Sequence, residues 1–126
     1  MIVRREGERY YAVLKDEQYP TFDWPTGKAI RISSAPALLG PYSEPSPRIT
    51  PDCREALTVI PRPDGRGWYL YYEQYPGVMY SLSTAEALVG PWYDIWCEEY
   101  SVPEAILHGC MIATSQAQYD AIVAAY

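Results

Sequence analysis

The chain has 126 residues, 16 acidic against 10 basic side chains, and a formal charge of −6. That acidic balance sets aside nucleic acid and anionic membranes as partners, since both are recognised through basic patches. No apolar run approaches the roughly 18 residues of a membrane-spanning helix. Met1 to Glu6 lacks the apolar core of a secretion signal, so the cytoplasm is the expected location.

In chain order, Ile2 to Arg5 reads as a short apolar strand, followed by a turn at Glu6-Gly7-Glu8. Tyr10 to Lys15 is aromatic and β-branched, which predicts a second strand. The loop from Asp16 to Lys28 carries Pro20, Phe22, Trp24 and Pro25. In the stretch from Ala29 to Ala35, Ile30 and Ile32 alternate with Arg31 and Ser33, the period of a half-buried strand. Pro36 to Leu39 predicts one helical turn, stopped by Gly40-Pro41. Tyr42 to Ile49, interrupted by Pro45 and Pro47, is expected as an outer edge strand, because proline cannot serve a central ladder.

The plan then repeats. Ala56 to Arg62 predicts an innermost strand, Pro63-Asp64-Gly65 a turn, and Trp68 to Glu73 a strand with Trp68, Leu70 and Tyr72 on one face. Val78 to Thr84 and Tyr93 to Cys97 complete the set. The repetition extends to individual residues. Ile32 to Tyr42 aligns without a gap with Leu82 to Trp92, 50 positions later, including both Gly-Pro pairs. Gly7 to Leu14 aligns with Gly65 to Tyr72 at an offset of 58. Repeats of ~40–50 residues made of short aromatic strands mark β-propeller blades.

The expected fold is therefore all-β and propeller-like. A single partial domain spans residues 1–126, with one four-stranded antiparallel blade over 1–50, a second over 51–100, and a closing strand and helix over 101–126. Gly109 to Thr114 reads as the first strand of a third blade. Ser115 opens the helix, with Gln118 as its capping-box partner. Tyr119, Ile122, Val123 and Tyr126 form one apolar stripe, expected to dock on strands. A propeller ring usually closes with four to eight blades, so the chain is expected to be part of a ring or the subunit of an assembled one. Open flanks of two blades predict a homo-oligomer.

Cys53, Cys97 and Cys110 are odd in number and far apart, which predicts free thiols in a reducing compartment. The 13 tyrosines and 4 tryptophans suit blade packing and sugar stacking alike. The strand aromatics Trp68, Tyr69, Tyr71 and Tyr72 are assigned to packing. Trp24, Glu73 and Tyr75, at a loop and a strand end, are the candidates for a pocket rim that binds a carbohydrate.

A series of short motifs in order resembles glycoside hydrolase family 43 and its five-bladed propeller relatives. These are Arg54-Glu55-Ala56-Leu57-Thr58-Val59-Ile60, Trp68 to Tyr75, Ser83-Thr84-Ala85 with Gly90-Pro91-Trp92, His108 to Ile112, and Gln118 to Ile122. The resemblance implies the later blades of such a ring and an enzyme that hydrolyses arabinose- or xylose-containing glycans with inversion. It places Glu55 at the general acid's position, with Ala56-Leu57 where the family commonly has Gly-Pro. It places His108 near the ring axis, where a calcium ion is held; calcium is the one cofactor implied. Leu107 stands where family members frequently carry arginine, so the resemblance implies no substrate-anchoring arginine at that position.

Inversion needs a second carboxylate, roughly 6.5–9.5 Å from the acid. The counterpart of Glu55 in the first copy would fall before Met1, so the catalytic set is expected to be incomplete and the isolated chain inactive. The alternative is a non-catalytic, self-associating module that binds carbohydrate or serves as a scaffold.

Overall fold

Two antiparallel sheets follow one another along the chain in a computed structural model that describes residues 1–18, 22, 27–77, 79–103, 106 and 108–126. The first sheet has the order β1 (Ile2–Glu6), β2 (Arg9–Lys15), β3 (Ile30–Ala35). The second has the order β4 (Arg54–Pro61), β5 (Trp68–Gln74), β6 (Met79–Ala85), β7 (Tyr93–Ile95). A helix, α1 (Gln116–Ala125), follows.

The internal repeat is built into the strand register. Tyr10 pairs with Ala35, and Trp68, 58 residues after Tyr10, pairs with Ala85, 50 residues after Ala35. Both strands lead into the same turn, in which the glycine N–H donates to an alanine carbonyl: Gly40 to Ala37 and Gly90 to Ala87. Each glycine has φ near +90° and precedes a cis proline. A Cβ at either position would press on the aromatic ring two residues later. That ring in turn donates to a carbonyl four residues back, Tyr42 to Leu38 at 2.9 Å and Trp92 to Leu88 at 3.2 Å.

The first sheet has three strands where four were expected. Residues 41–49 do lie along β3, with the N–H groups of Ser43, Ser46 and Ile49 bonding to Ser34, Ile32 and Ile30. Pro41, Pro45 and Pro47 have no N–H to offer between them, so no regular ladder forms. Gly109 to Thr114 is not a strand either, because a strand needs a neighbour and this segment pairs with none among the described residues.

The core lies between the sheets. Tyr11, Val13, Ile30 and Ile32 of the first pack with Val59, Leu70 and Tyr72 of the second and with Leu88 from the following turn. Trp68 and Tyr72 take the packing role expected of them, while Tyr69 and Tyr71 sit half-buried on the opposite face. Polar bonds cross the same seam. The Glu6 carboxylate accepts the Trp68 indole N–H at 2.6 Å and the Leu88 backbone N–H at 3.1 Å. Arg4 Nε donates to the Val59 carbonyl at 2.8 Å.

The capping box of α1 forms as expected: Ser115 accepts from the Gln118 backbone, and Gln118 accepts from the Ser115 N–H. Its stripe does not dock. Tyr119, Ile122 and Val123 remain 56, 52 and 58% exposed, and the helix buries no residue. The inner faces of the two sheets already cover each other, and α1 lies apart from that seam. Two substitutions should therefore diverge in urea denaturation. Glu6→Ala, which strips the acceptor from two inter-sheet bonds, should cost about 2 kcal/mol. Ile122→Asp should stay within about 0.5 kcal/mol of the parent, as an exposed position does.

Candidate functional site

One end of the two-sheet stack gathers most of the residues singled out in the sequence. Glu55 lies at the head of β4 and pairs across the ladder with Glu73 near the end of β5, so the two carboxylates share a face of the sheet. The Glu55 side chain is 16% exposed, and its Oε2 is hydrogen-bonded by the Lys15 ammonium from the end of β2. Lys15 also meets Glu17 at 3.1 Å, and Glu17 meets Lys28 at 3.5 Å. The Lys28 ammonium stands 5.5 Å from the centre of the Tyr75 ring. Tyr75 is anchored by its N–H on the Cys53 carbonyl at 2.9 Å and keeps 44% of its surface in solvent.

Glu73 is only 4% exposed. Its Oε2 accepts the His108 backbone N–H at 3.4 Å and lies 3.8 Å from His108 Nε2. Beyond it, the Gly109 N–H donates to the Tyr80 hydroxyl on β6, and the Met111 N–H reaches Thr58 Oγ1 on β4 at 3.4 Å. Glu55, Glu73, Tyr75 and His108 are thus brought to one end, whereas Trp24 lies outside the described residues. The three cysteines are free, with Cys97 and Cys110 exposed.

Backbone strain concentrates here. Every non-glycine residue with positive φ among the described residues belongs to this end: Lys28 at 48°, Cys53 at 59°, Ala56 at 47° and His108 at 53°. Such conformations cost on the order of 1–3 kcal/mol each and persist where the surroundings impose them. At Ala56 the cause is visible: the β4–β5 register slips between Glu55 and Thr58. The resulting bulge keeps Glu55 on the same face as Thr58 and turns its carboxylate toward Lys15.

Lys15 and Lys28 escaped the sequence reading, yet a signal was present. Lys15 and Glu73 are 58 residues apart and therefore equivalent in the repeat. Each meets the residue that opens the segment after its own sheet, Lys15 with Glu55 and Glu73 with His108. As for calcium, His108 and Glu73 supply two donors where the ion takes ~6–8 oxygens. Among the described residues no group of three or more His, Cys, Asp or Glu could hold a metal. The described residues do not fit the ion.

A cleft of about 530 Å³ adjoins the ion pairs on the side of the first sheet, lined by Leu14, Lys15, Glu17, Arg31 and Glu44. Another, of about 430 Å³, lies at the opposite end of β4, between Arg62, Thr84 and Tyr93. Compared with models of protein families, with curated proteins and with solved structures, the chain matches none. No helix among the described residues is long and apolar enough to cross a membrane.

Lys15 and Tyr72 are among the groups that set an alkaline limit. Burial alone would lower Lys15, but hydrogen bonds to Glu55 and Glu17 and their negative charge outweigh it and raise the ammonium above its ordinary 10.5. Burial pushes the Tyr72 hydroxyl up from 10.0 to about 12. Both bind their protons more tightly in the folded state, so their contributions are whole below the unfolded values and fade as pH rises through the folded ones. Stability measured in urea should fall from about pH 10 toward pH 12. Lys15→Met should flatten the part of that fall above pH 10.5.

Proposed function

We propose that this chain is the C-terminal part of a family 43-like glycosidase propeller, and that its Glu55 end faces an arabinose- or xylose-containing glycan without hydrolysing it unaided. One observation carries the reading: the Glu55 and Glu73 carboxylates share one strained end of one sheet face, and the half-exposed Tyr75 ring stands at the same end under the Lys28 ammonium. An exposed aromatic face at the same end as paired carboxylates suits a sugar, whose apolar face stacks while its hydroxyls donate.

The same geometry argues against turnover. A general acid must deliver a proton from a carboxyl oxygen, and Lys15 already holds Glu55 Oε2. Glu73 does not supply the missing base. Cross-strand neighbours start only ~4.5–5.5 Å apart at Cβ, inversion needs roughly 6.5–9.5 Å and an intervening water, and Glu73 is covered by residues 108–111. Titration with arabino- and xylo-oligosaccharides, followed by NMR, should shift the amides of Glu55, Glu73 and Tyr75. Tyr75→Ala should weaken that response. Aryl arabinofuranosides and xylosides should not be cleaved. Shifts elsewhere alone would sink the sugar-facing assignment, and robust turnover abolished by Glu55→Gln would sink the incomplete-site argument.

A second reading, a self-associating module, is favoured by a difference between the copies. Leu88 is fully buried against the first sheet, whereas its repeat partner Leu38 is 54% exposed among the described residues. A homo-oligomer covering that outer flank is the expected state. Light scattering at tens of micromolar should show more than one chain per particle, and a strict monomer would remove this reading.

A further inference from the structure

We propose that residues 108–111 form a strap that lifts from and closes over Glu73, gating solute access to the Glu55–Glu73 pair. The strap crosses three neighbouring strands and is received on each by one buried side chain. Glu73 on β5, Tyr80 on β6 and Thr58 on β4 are 4, 2 and 1% exposed, and they accept the N–H groups of His108, Gly109 and Met111 in turn. Backbone donors meeting side-chain acceptors across the strands make a seat, not a ladder.

The seat holds weakly by construction. Two of the three bonds are long, at 3.4 Å. No strap residue is buried: His108 and Cys110 are exposed, Gly109 and Met111 half-buried. The strap continues into α1, which buries nothing that would pin it. Segments with few buried contacts open at a small fraction of the global unfolding cost. Opening also has a drive of its own. A carboxylate shut away from water is costly unless well bonded, and among the described residues Glu73 meets only His108. Lifting the strap hydrates Glu73, while closing it satisfies three backbone donors. A two-state element follows from that opposition.

Its bearing on sugar rests on the proposed function, but its test needs no sugar. Carboxyl labelling with a water-soluble carbodiimide and glycine ethyl ester, read by mass spectrometry, reports access to Glu73, with exposed Glu8 and Glu98 as internal references. In the parent chain Glu73 should label far more slowly than either. Tyr80→Phe removes one acceptor and should speed Glu73 labelling roughly two- to tenfold, the weight of one hydrogen bond. Gly109→Val acts from the strap side, because a Cβ there would stand 3.1 Å from the Tyr80 hydroxyl. It should speed labelling likewise, with circular dichroism and melting unchanged, and it keeps the test alive if Tyr80→Phe fails to fold. Unchanged Glu73 labelling in the folded variants, or parent labelling as fast as at Glu98, would overturn the strap. Failure of oligosaccharides to bind would count against the sugar reading alone and leave the labelling result standing.

Discussion

The Glu6 carboxylate is the joint on which the rest depends. A sheet with one apolar face must bury it against another element, and the first sheet gains its core by packing on the second. Apolar contact is non-directional and would tolerate sliding of one sheet over the other. Glu6 removes that freedom by accepting the Trp68 indole and the Leu88 backbone together. It fixes both where β5 lies and how the following turn sits. At the far end of the same seam, Lys15 and Glu55 fix the head of β4. With both ends tied, the end that holds Glu55 and Glu73 has a defined shape.

Much of the fold was legible because the chain states it twice. Offsets of 58 and 50 reappear as the strand pairings of Tyr10 with Ala35 and Trp68 with Ala85. The capping box at Ser115 could be read because its partners lie three residues apart. What failed depended on neighbours far away in sequence. Gly109 to Thr114 reads as the first strand of a third blade, but only a partner's backbone makes one. Periodicity likewise finds the α1 stripe and cannot say whether a surface awaits it. Proline's missing N–H was correctly weighed in residues 41–49, although it removed the strand outright instead of placing it at an edge.

The candidate site was half legible. Glu55, Glu73, Tyr75 and His108 are strand-end or segment-head residues, and strand ends on one side of a sheet meet in space. Lys15 and Lys28 were hidden because their importance comes from partners 40 and 11 residues away. The strain at Lys28, Cys53, Ala56 and His108 was hidden as well. None is glycine, so nothing in the residue types announces a left-handed backbone. Position 56 is nevertheless where glycine would sit most easily, and alanine there holds the bulge at a cost.

Arg62 faces Gly67, the repeat counterpart of Arg9, and so holds in the second copy's ladder the place that Glu6, opposite Arg9, holds in the first. Its guanidinium turns back onto Asp64 and Thr84 of its own copy and lies over the Tyr69 ring. The two halves of the duplication are therefore no longer interchangeable parts. If their order were exchanged, the guanidinium would face the N–H of Leu38 where Glu6 now accepts that of Leu88, donor against donor. The chain thus has a reading direction: the earlier unit carries the grip, the later unit the surface that is gripped.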